Sequence, residues 1–469
     1  MRGRSKKILI GILSVLIILG VVYAAALMRS KAQLREAYAA LRRDGRPMRA
    51  SDITPPDIPQ EHNAAALYDR AIAMLTVPLP DTAEKDLLER LGRFSRAIFD
   101  EPTEPDKLAR HQQRMTELKQ RLADDEVVAA LTILEEGTRR SSCRFNRQFT
   151  GVLLQDTPFS EPLTNGLRNL ARVLGARAYF EAQSGRPQKA WATIQTLLRF
   201  SNMLTDDPLS VDAWVRLAAL GQACRVIREL CEIAPPDPNT ARAVESLLQH
   251  QDDTEPMVRA LDVARLLHGE KLFAMSEDEL YEHLRAEDEA DGNAAPELMF
   301  RLDFRKITFA PTFIADHATY LRLMAKSVRL LQGPFVPREG AARREIDNLR
   351  WRYTLNRRLA PMPGIMKDIH CGLVANVQIA RAGLGLLRYR HVHGQFPPSL
   401  DPLELEGLTD PYDGKPLRYR RQGNGFIVYS VDEDQKDNGG SPRQPKKKTD
   451  FDMVWQFPRQ PDPTTPDAK

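Results

Sequence analysis

The chain has 469 residues, with 67 Lys and Arg against 63 Asp and Glu, a formal net charge of +4. Hydrophobic residues make up 42% and charged residues 28%, the composition of a folded protein. So even a charge balance gives no case for nucleic acid as a partner, and the length suits two or three domains.

Residues 1–7, Met-Arg-Gly-Arg-Ser-Lys-Lys, form a short basic tail. Ile8 to Met28 follow without a single charged residue. A helix of that length spans roughly 30 Å of hydrocarbon, because each residue rises about 1.5 Å. A cleaved signal peptide is one reading, since Ala24-Ala25-Ala26 supplies small residues for a cleavage site. The apolar run exceeds the about 7 to 15 residues of a signal core, which favours an uncleaved transmembrane helix over 8–28. Arg2, Arg4, Lys6 and Lys7 favour a cytoplasmic N-terminus, although Arg29, Lys31 and Arg35 follow the span closely. A short tail is the easier end to leave inside, so the bulk of the chain is expected on the exported side.

Residues 29–60 are read as a juxtamembrane helix, Ser30 to about Arg46, and a linker carrying Pro47, Pro55, Pro56 and Pro59. Proline lacks the backbone donor and restricts the residue before it, so the linker is extended. A helical domain is expected over 61–364. Asn63 is placed to cap a helix from Ala64 to Leu75. Leu170, Val173, Leu174, Ala178 and Phe180 recur at helical spacing before Gly185-Arg186-Pro187. Ala190, Ile194, Leu197, Leu198 and Met203 continue the pattern up to Asp206-Asp207-Pro208, which predicts a helical hairpin. The spacing of Ala178, Gly185 and Ala190 is similar to a tetratricopeptide helix pair, but one unit cannot build a solenoid of that kind. Ser276 to Asp291 holds eight acidic residues and one arginine, and reads as a solvated helix end or loop. Pro334, Pro337 and Gly340 mark one break, and Pro361-Met362-Pro363-Gly364 another, where the domain boundary is placed.

The four cysteines make no metal motif. Cys224 and Cys231 share a helix face at about 10 Å, too far for a disulfide. They read as buried thiols, and Cys143 with Cys371 is the pairing left open.

Residues 365–458 read as an α+β module. A helix over Ile365 to Tyr389 runs to His393 and Gly394, where glycine stops it. An Asp413-Gly414 turn precedes a strand Leu417 to Arg421, a Gly423-Asn424-Gly425 turn and a second strand Phe426 to Val431. A third strand, Phe451 to Phe457, completes an antiparallel three-stranded sheet, and 459–469 is expected to be a disordered tail.

The order of these pieces resembles the globular end of the major pseudopilin of type II secretion systems. The matching segments are His393-Gly394-Gln395-Phe396-Pro397 and Asp410-Pro411-Tyr412-Asp413-Gly414-Lys415-Pro416-Leu417. Val428-Tyr429-Ser430-Val431-Asp432, Asp437-Asn438-Gly439-Gly440 and Asp450-Phe451-Asp452-Met453-Val454 follow in the same order. That family's loop binds calcium, which by resemblance makes Asp434, Asp437, Asp450 and Asp452 candidate ligands, with main-chain oxygens near Ser430. The insertion of Ser441 to Thr449, with Lys446-Lys447-Lys448, departs from the pattern, and ammonium groups beside a cation site oppose binding. A pseudopilin also joins its membrane helix directly to the globular helix, after a glycine cleavage site and with a glutamate in the span. None of these holds here, so processing and assembly like a pilin are not expected.

The whole layout, with Ile58-Pro59-Gln60-Glu61-His62-Asn63-Ala64-Ala65 and Arg388-Tyr389-Arg390, also resembles uncharacterised membrane-anchored proteins of planctomycete-type bacteria. That resemblance supplies context and no activity; the expected location is the bacterial cytoplasmic (inner) membrane.

Enzyme signatures are wanting. The nine histidines form no zinc-binding spacing. His391 and His393 flank the end of a helix and read as a wet turn rather than a metal pair. Asp316-His317 and His370-Cys371 are helix neighbours that point apart, which leaves a Cys371 nucleophile without a local base. No nucleophile elbow, phosphate loop or dinucleotide fingerprint occurs. The expectation is therefore a mainly α, single-pass envelope protein without catalytic activity. In it a helical scaffold carries a small interaction module for an unknown protein partner. A secretion or assembly component, and an enzyme with a site built from scattered residues, are the alternatives.

Overall fold

The computed structural model describes residues 2–54, 56–79, 84–102, 104–145, 162–205, 210–249, 251–290, 301, 304, 308–337, 344, 363–442 and 451–459. It is mainly helical, with a small antiparallel sheet near the C-terminus.

Helix α1 (Arg2–Arg43) is uninterrupted. It is long and apolar enough to cross a membrane. Its outer part is bare, with Leu9 67% and Val22 59% exposed. Leu34, Ala37, Tyr38 and Leu41 lie at spacings of three and four and pack into the body. The polar helix expected from Ser30 is thus the inner end of the same rod.

The body is built from helices α2 (Ala65–Leu75), α3 (Leu87–Arg96), α4 (Pro105–Arg121), α5 (Asp125–Gly137), α6 (Pro162–Gln183) and α7 (Pro187–Met203). Helices α8 (Ser210–Ile233), α9 (Pro238–Leu248) and α10 (Glu255–Ala264) follow. A π-turn, Arg265–Gly269, leads into α11 (Glu270–Ala274), then α12 (Glu277–Ala290), α13 (Ala310–Gln332) and α14 (Pro363–His393).

Local signals explain several boundaries. Asn63 Oδ1 accepts from the N–H of Ala65 (3.1 Å) and of Arg144 (2.9 Å), so one side chain starts α2 and pins the chain after α5. Asp86 accepts from Glu89 N at 2.8 Å, while Glu89 reaches back to Lys85 N, a reciprocal cap for α3. Gly185, with φ +71°, turns α6 into α7 as the spacing predicts. The acidic stretch is helix α12, capped by Ser276, and it buries Leu280 and Leu284 on one side.

All four cysteines are buried thiols, and no disulfide joins Cys143 to Cys371. The breaks expected at Asp206-Asp207-Pro208 and at Gly340, and Lys446 to Lys448, lie outside the described residues.

Strands β1 (Arg418–Gln422), β2 (Gly425–Ser430) and β3 (Met453–Phe457) form an antiparallel sheet in that order. Gln422 pairs with Gly425, so the turn is Gly423-Asn424, with Gly423 at φ +56° in the manner of a type II′ hairpin. β2 is buried throughout, whereas β1 carries the exposed outer edge. The sheet lies on α14, which packs in turn against α8, α9 and α13. One continuous core of buried side chains reaches from Ala37 to Phe457. Gly383 permits this seating: a Cβ there would lie 1.9 Å from the Trp455 indole.

Candidate functional site

Asp410 is the most enclosed acidic group of the C-terminal sheet, at 0% exposure. Its Oδ1 accepts from Tyr412 N (3.0 Å) and Ser430 Oγ (2.9 Å), and its Oδ2 from Val431 N and Arg418 Nη1 (both 2.9 Å). Arg418 also clamps Asp413, which holds that carboxyl below the usual range. Gly414, with φ +71°, closes the turn by donating its N–H to Asp410 O at 2.9 Å. The Asp-Pro-Tyr-Asp-Gly segment is thereby tied to both β1 and the end of β2. A carboxylate with two lone pairs on each oxygen is fully used by such a set of donors. Its task is positional.

Of the four acidic residues predicted to hold calcium, Asp450 lies outside the described residues. Asp452, 1% exposed, accepts from Gly440 N (2.7 Å), Ser441 N (3.2 Å) and Asn438 N (3.3 Å). Burial pushes its carboxyl up, against the pull of those N–H groups. Asp437 Oδ1 accepts from Tyr429 Oη and Gly439 N, both at 2.9 Å. Asp434 Oδ1 accepts from Lys436 N at 3.0 Å, and its Oδ2 is buried with no hydrogen-bond partner. Among the described residues, no three His, Cys, Asp or Glu side chains converge in a way that would hold a metal ion. The described members therefore do not make a calcium shell by themselves, and no chemistry is derived through one.

A second polar network, absent from any sequence motif, lies where α1 meets the π-turn. Arg46 pairs with Asp262, and Arg265 pairs with Glu270 and donates to Pro47 O. Arg265 is 1% exposed, an unusual place for a guanidinium unless it is paired. Tyr38 Oη donates to Glu270 Oε2 (2.8 Å) and lies 3.4 Å from His317 Nε2. The His317 ring stacks on Phe273 with centroids 4.3 Å apart, and burial pushes its pKa down to about 4. Tyr, Glu and His in a hydrogen-bonded row can relay a proton in principle. Here each also joins α1 to α11 or α13. A π-turn widens the helix by one residue, which turns Arg265 and Glu270 toward α1.

Comparison with protein-family models, curated proteins and solved structures finds no match. The chemistry of this chain is argued from its own residues.

Among the described residues, two clefts lie away from these networks. One, of about 400 Å³, has an apolar floor that includes Leu122 and Phe180, and a rim of Lys119, Arg177, Arg186 and Lys189. Its carboxylate, Glu181, is held by Arg177 (3.1 Å) and Thr193 (2.8 Å). The other, of about 390 Å³, is lined by Arg242, Glu245, Arg381, Glu404 and Glu406 among others. Glu245 is buried beside Arg388 at 3.5 Å, and burial raises its pKa.

The remaining sequence candidates stay apart. Cys371 is 2% exposed among Phe335, Ala375, Tyr412 and Val431. The Cys224 thiol is pushed up to about 12 by burial, and Cys231 is raised as well. Thiols so placed are poor nucleophiles. His393 rests on Tyr389 at 4.1 Å, at the exposed end of α14.

Proposed function

We propose that this chain is a single-pass, membrane-anchored bacterial envelope protein without catalytic activity. A helical scaffold is held rigidly at the inner membrane, and the C-terminal sheet serves for contact with a protein partner. The observation that carries the reading is the continuity of α1. A bare apolar half and a half wedged into the core belong to one unbroken helix. Ser30 Oγ donates to Pro311 O (2.8 Å), Tyr38 to Glu270 (2.8 Å), and Asp44 faces Arg329 (3.2 Å), so no flexible linker separates anchor from body. The basic tail of residues 1–7 fits an N-terminus retained inside and a body on the exported side.

The polar networks support a structural role, because their charged groups face one another across element boundaries. For partner binding the support is β1, an outer strand of the sheet among the described residues, which exposes Arg420 and Arg421. Charged edges of this kind resist nonspecific pairing while leaving a strand available. A secretion or assembly component is the second reading, favoured by a long helix followed by a three-stranded sheet laid upon it.

Flotation of the full-length protein with liposomes, followed by alkaline extraction, tests the anchor. The wild type is expected to float intact and resist extraction, whereas Ile17→Arg with Leu16→Arg is released. Release of the wild type would defeat the reading. A photo-crosslinker at Arg420 is expected to trap one defined partner in cells. Smeared or absent adducts would count against the contact module.

A further inference from the structure

Tyr23 lies inside the apolar run of α1, five residues before its end at Met28, about 8 Å along the helix. The ring of Phe309 meets Tyr23 edge to face, with centroids 5.6 Å apart. Phe309 immediately precedes α13 and is 51% exposed, one of few large apolar side chains of the folded body left open. Two further contacts fix the relative height of the two helices. Ser30 bonds Pro311 O, and Tyr38 faces His317. Both helices therefore run the same way: Pro311 lies level with Ser30, just past the apolar run, and the Phe309 ring reaches back to Tyr23 inside it. Exposed Arg29 and Lys31 lie one residue to either side of Ser30, at the level of Pro311.

We propose that the N-terminal end of α13, led by Phe309, is inserted into the lipid bilayer beside α1. This makes a second point of contact that sets how the body sits on the membrane. The inference rests on the anchor reading above. If α1 spans, Tyr23 lies about 8 Å inside the end of the apolar run, in the outer acyl layer below the headgroups, and the ring against it lies there too. Aromatic rings are favoured at that depth, and Arg and Lys just outside it meet the phosphates. Lipid is the occupant because the apolar surface of Phe309 is continuous with that of α1. A bare phenyl ring at this height faces acyl chain rather than water. One aromatic adds a small increment to a transmembrane helix in affinity. Its effect is on tilt and rotation, because a helix fixed at one side point cannot turn freely about its axis.

Spin labels at Ile17→Cys and, separately, Phe309→Cys in the full-length protein, reconstituted in phosphatidylcholine–phosphatidylglycerol vesicles, test this. The four native cysteines are buried, so labelling is confined to the introduced thiol. Oxygen, which partitions into lipid, is expected to relax both labels more than a water-soluble nickel chelate does, with the deeper reading at residue 17. A lipid signal at residue 17 with a water signal at residue 309 would overturn the insertion and leave the anchor standing. Shielding of residue 309 from both agents, with spin–spin broadening, would mean that a second copy covers it and would equally overturn the proposal. A water signal at residue 17 would remove the anchor reading itself, and the insertion with it.

Discussion

Gly383 on α14 lies directly beneath the indole of Trp455 on β3, with no room between them for a methyl group. The contact joins the last strand to the central helix of the body, and Phe426 completes it edge to face against Trp455 at 5.6 Å. Gly383→Ala gains helix propensity but must push the sheet away. Overpacking of this kind costs about 1–3 kcal/mol. The expected result in urea denaturation is a lower midpoint, with Trp455→Phe restoring part of the loss in the double variant.

Asp410 makes a different kind of joint. Its removal would leave the Arg418 guanidinium with Asp413 and, at 3.9 Å, Asp437, and strip acceptors from Val431 N and Ser430 Oγ. Breaking one partner of a buried pair typically costs about 3–5 kcal/mol. Asp410→Ala should therefore unfold the C-terminal sheet well before the helices. Hydrogen exchange is expected to show β2 amides losing protection while α6 and α7 keep theirs.

Tyr38 and Glu270 tie α1 to α11 through one hydrogen bond. Contacting residues in one network couple by about 0.5–3 kcal/mol. A double-mutant cycle of Tyr38→Phe and Glu270→Gln in detergent is expected to fall in that range. Additive losses would mean that the bond contributes nothing to holding the rod.

Two buried histidines make stability depend on pH. Burial holds His317 and His370 at about 4, below the ordinary 6.5, so the folded state keeps both neutral. Their contribution is complete above the unfolded value and is lost as pH falls from 6.5 through 4. Melting temperature is expected to drop across that window. His317→Phe, which keeps a ring on Phe273, should flatten part of the slope.

Calcium is tested by the groups that already occupy the loop carboxylates. Asp452 receives three N–H donors and Asp437 two donors, so a cation must displace them or rely on Asp434 Oδ2 and on residues beyond those described. The expected outcome is no change in melting at millimolar calcium. A saturable shift that disappears in Asp434→Ala would assign the cation to that loop.

The sequence by itself determined the elements whose signals are local. An unbroken apolar run, the left-handed glycines at 185, 394 and 414, and the Gly423-Asn424 turn between two short strands each act through neighbouring backbone. They give the long first helix, the helical hairpin and the three-stranded sheet close to their observed limits. Tertiary structure alone decided which polar groups meet. Arg265 and Asp410 look like ordinary surface charges in the sequence. Their burial depends on partners such as Pro47, 218 residues from Arg265, and Val431, 21 residues from Asp410 just past the end of β2. The height of Phe309 against Tyr23 is of the same kind. It is fixed by packing between helices more than 280 residues apart in sequence, for which Ser30 and Pro311 (281 apart) are the measure. Side-chain periodicity reports which face of a helix is buried, but it carries no record of the face it is buried against.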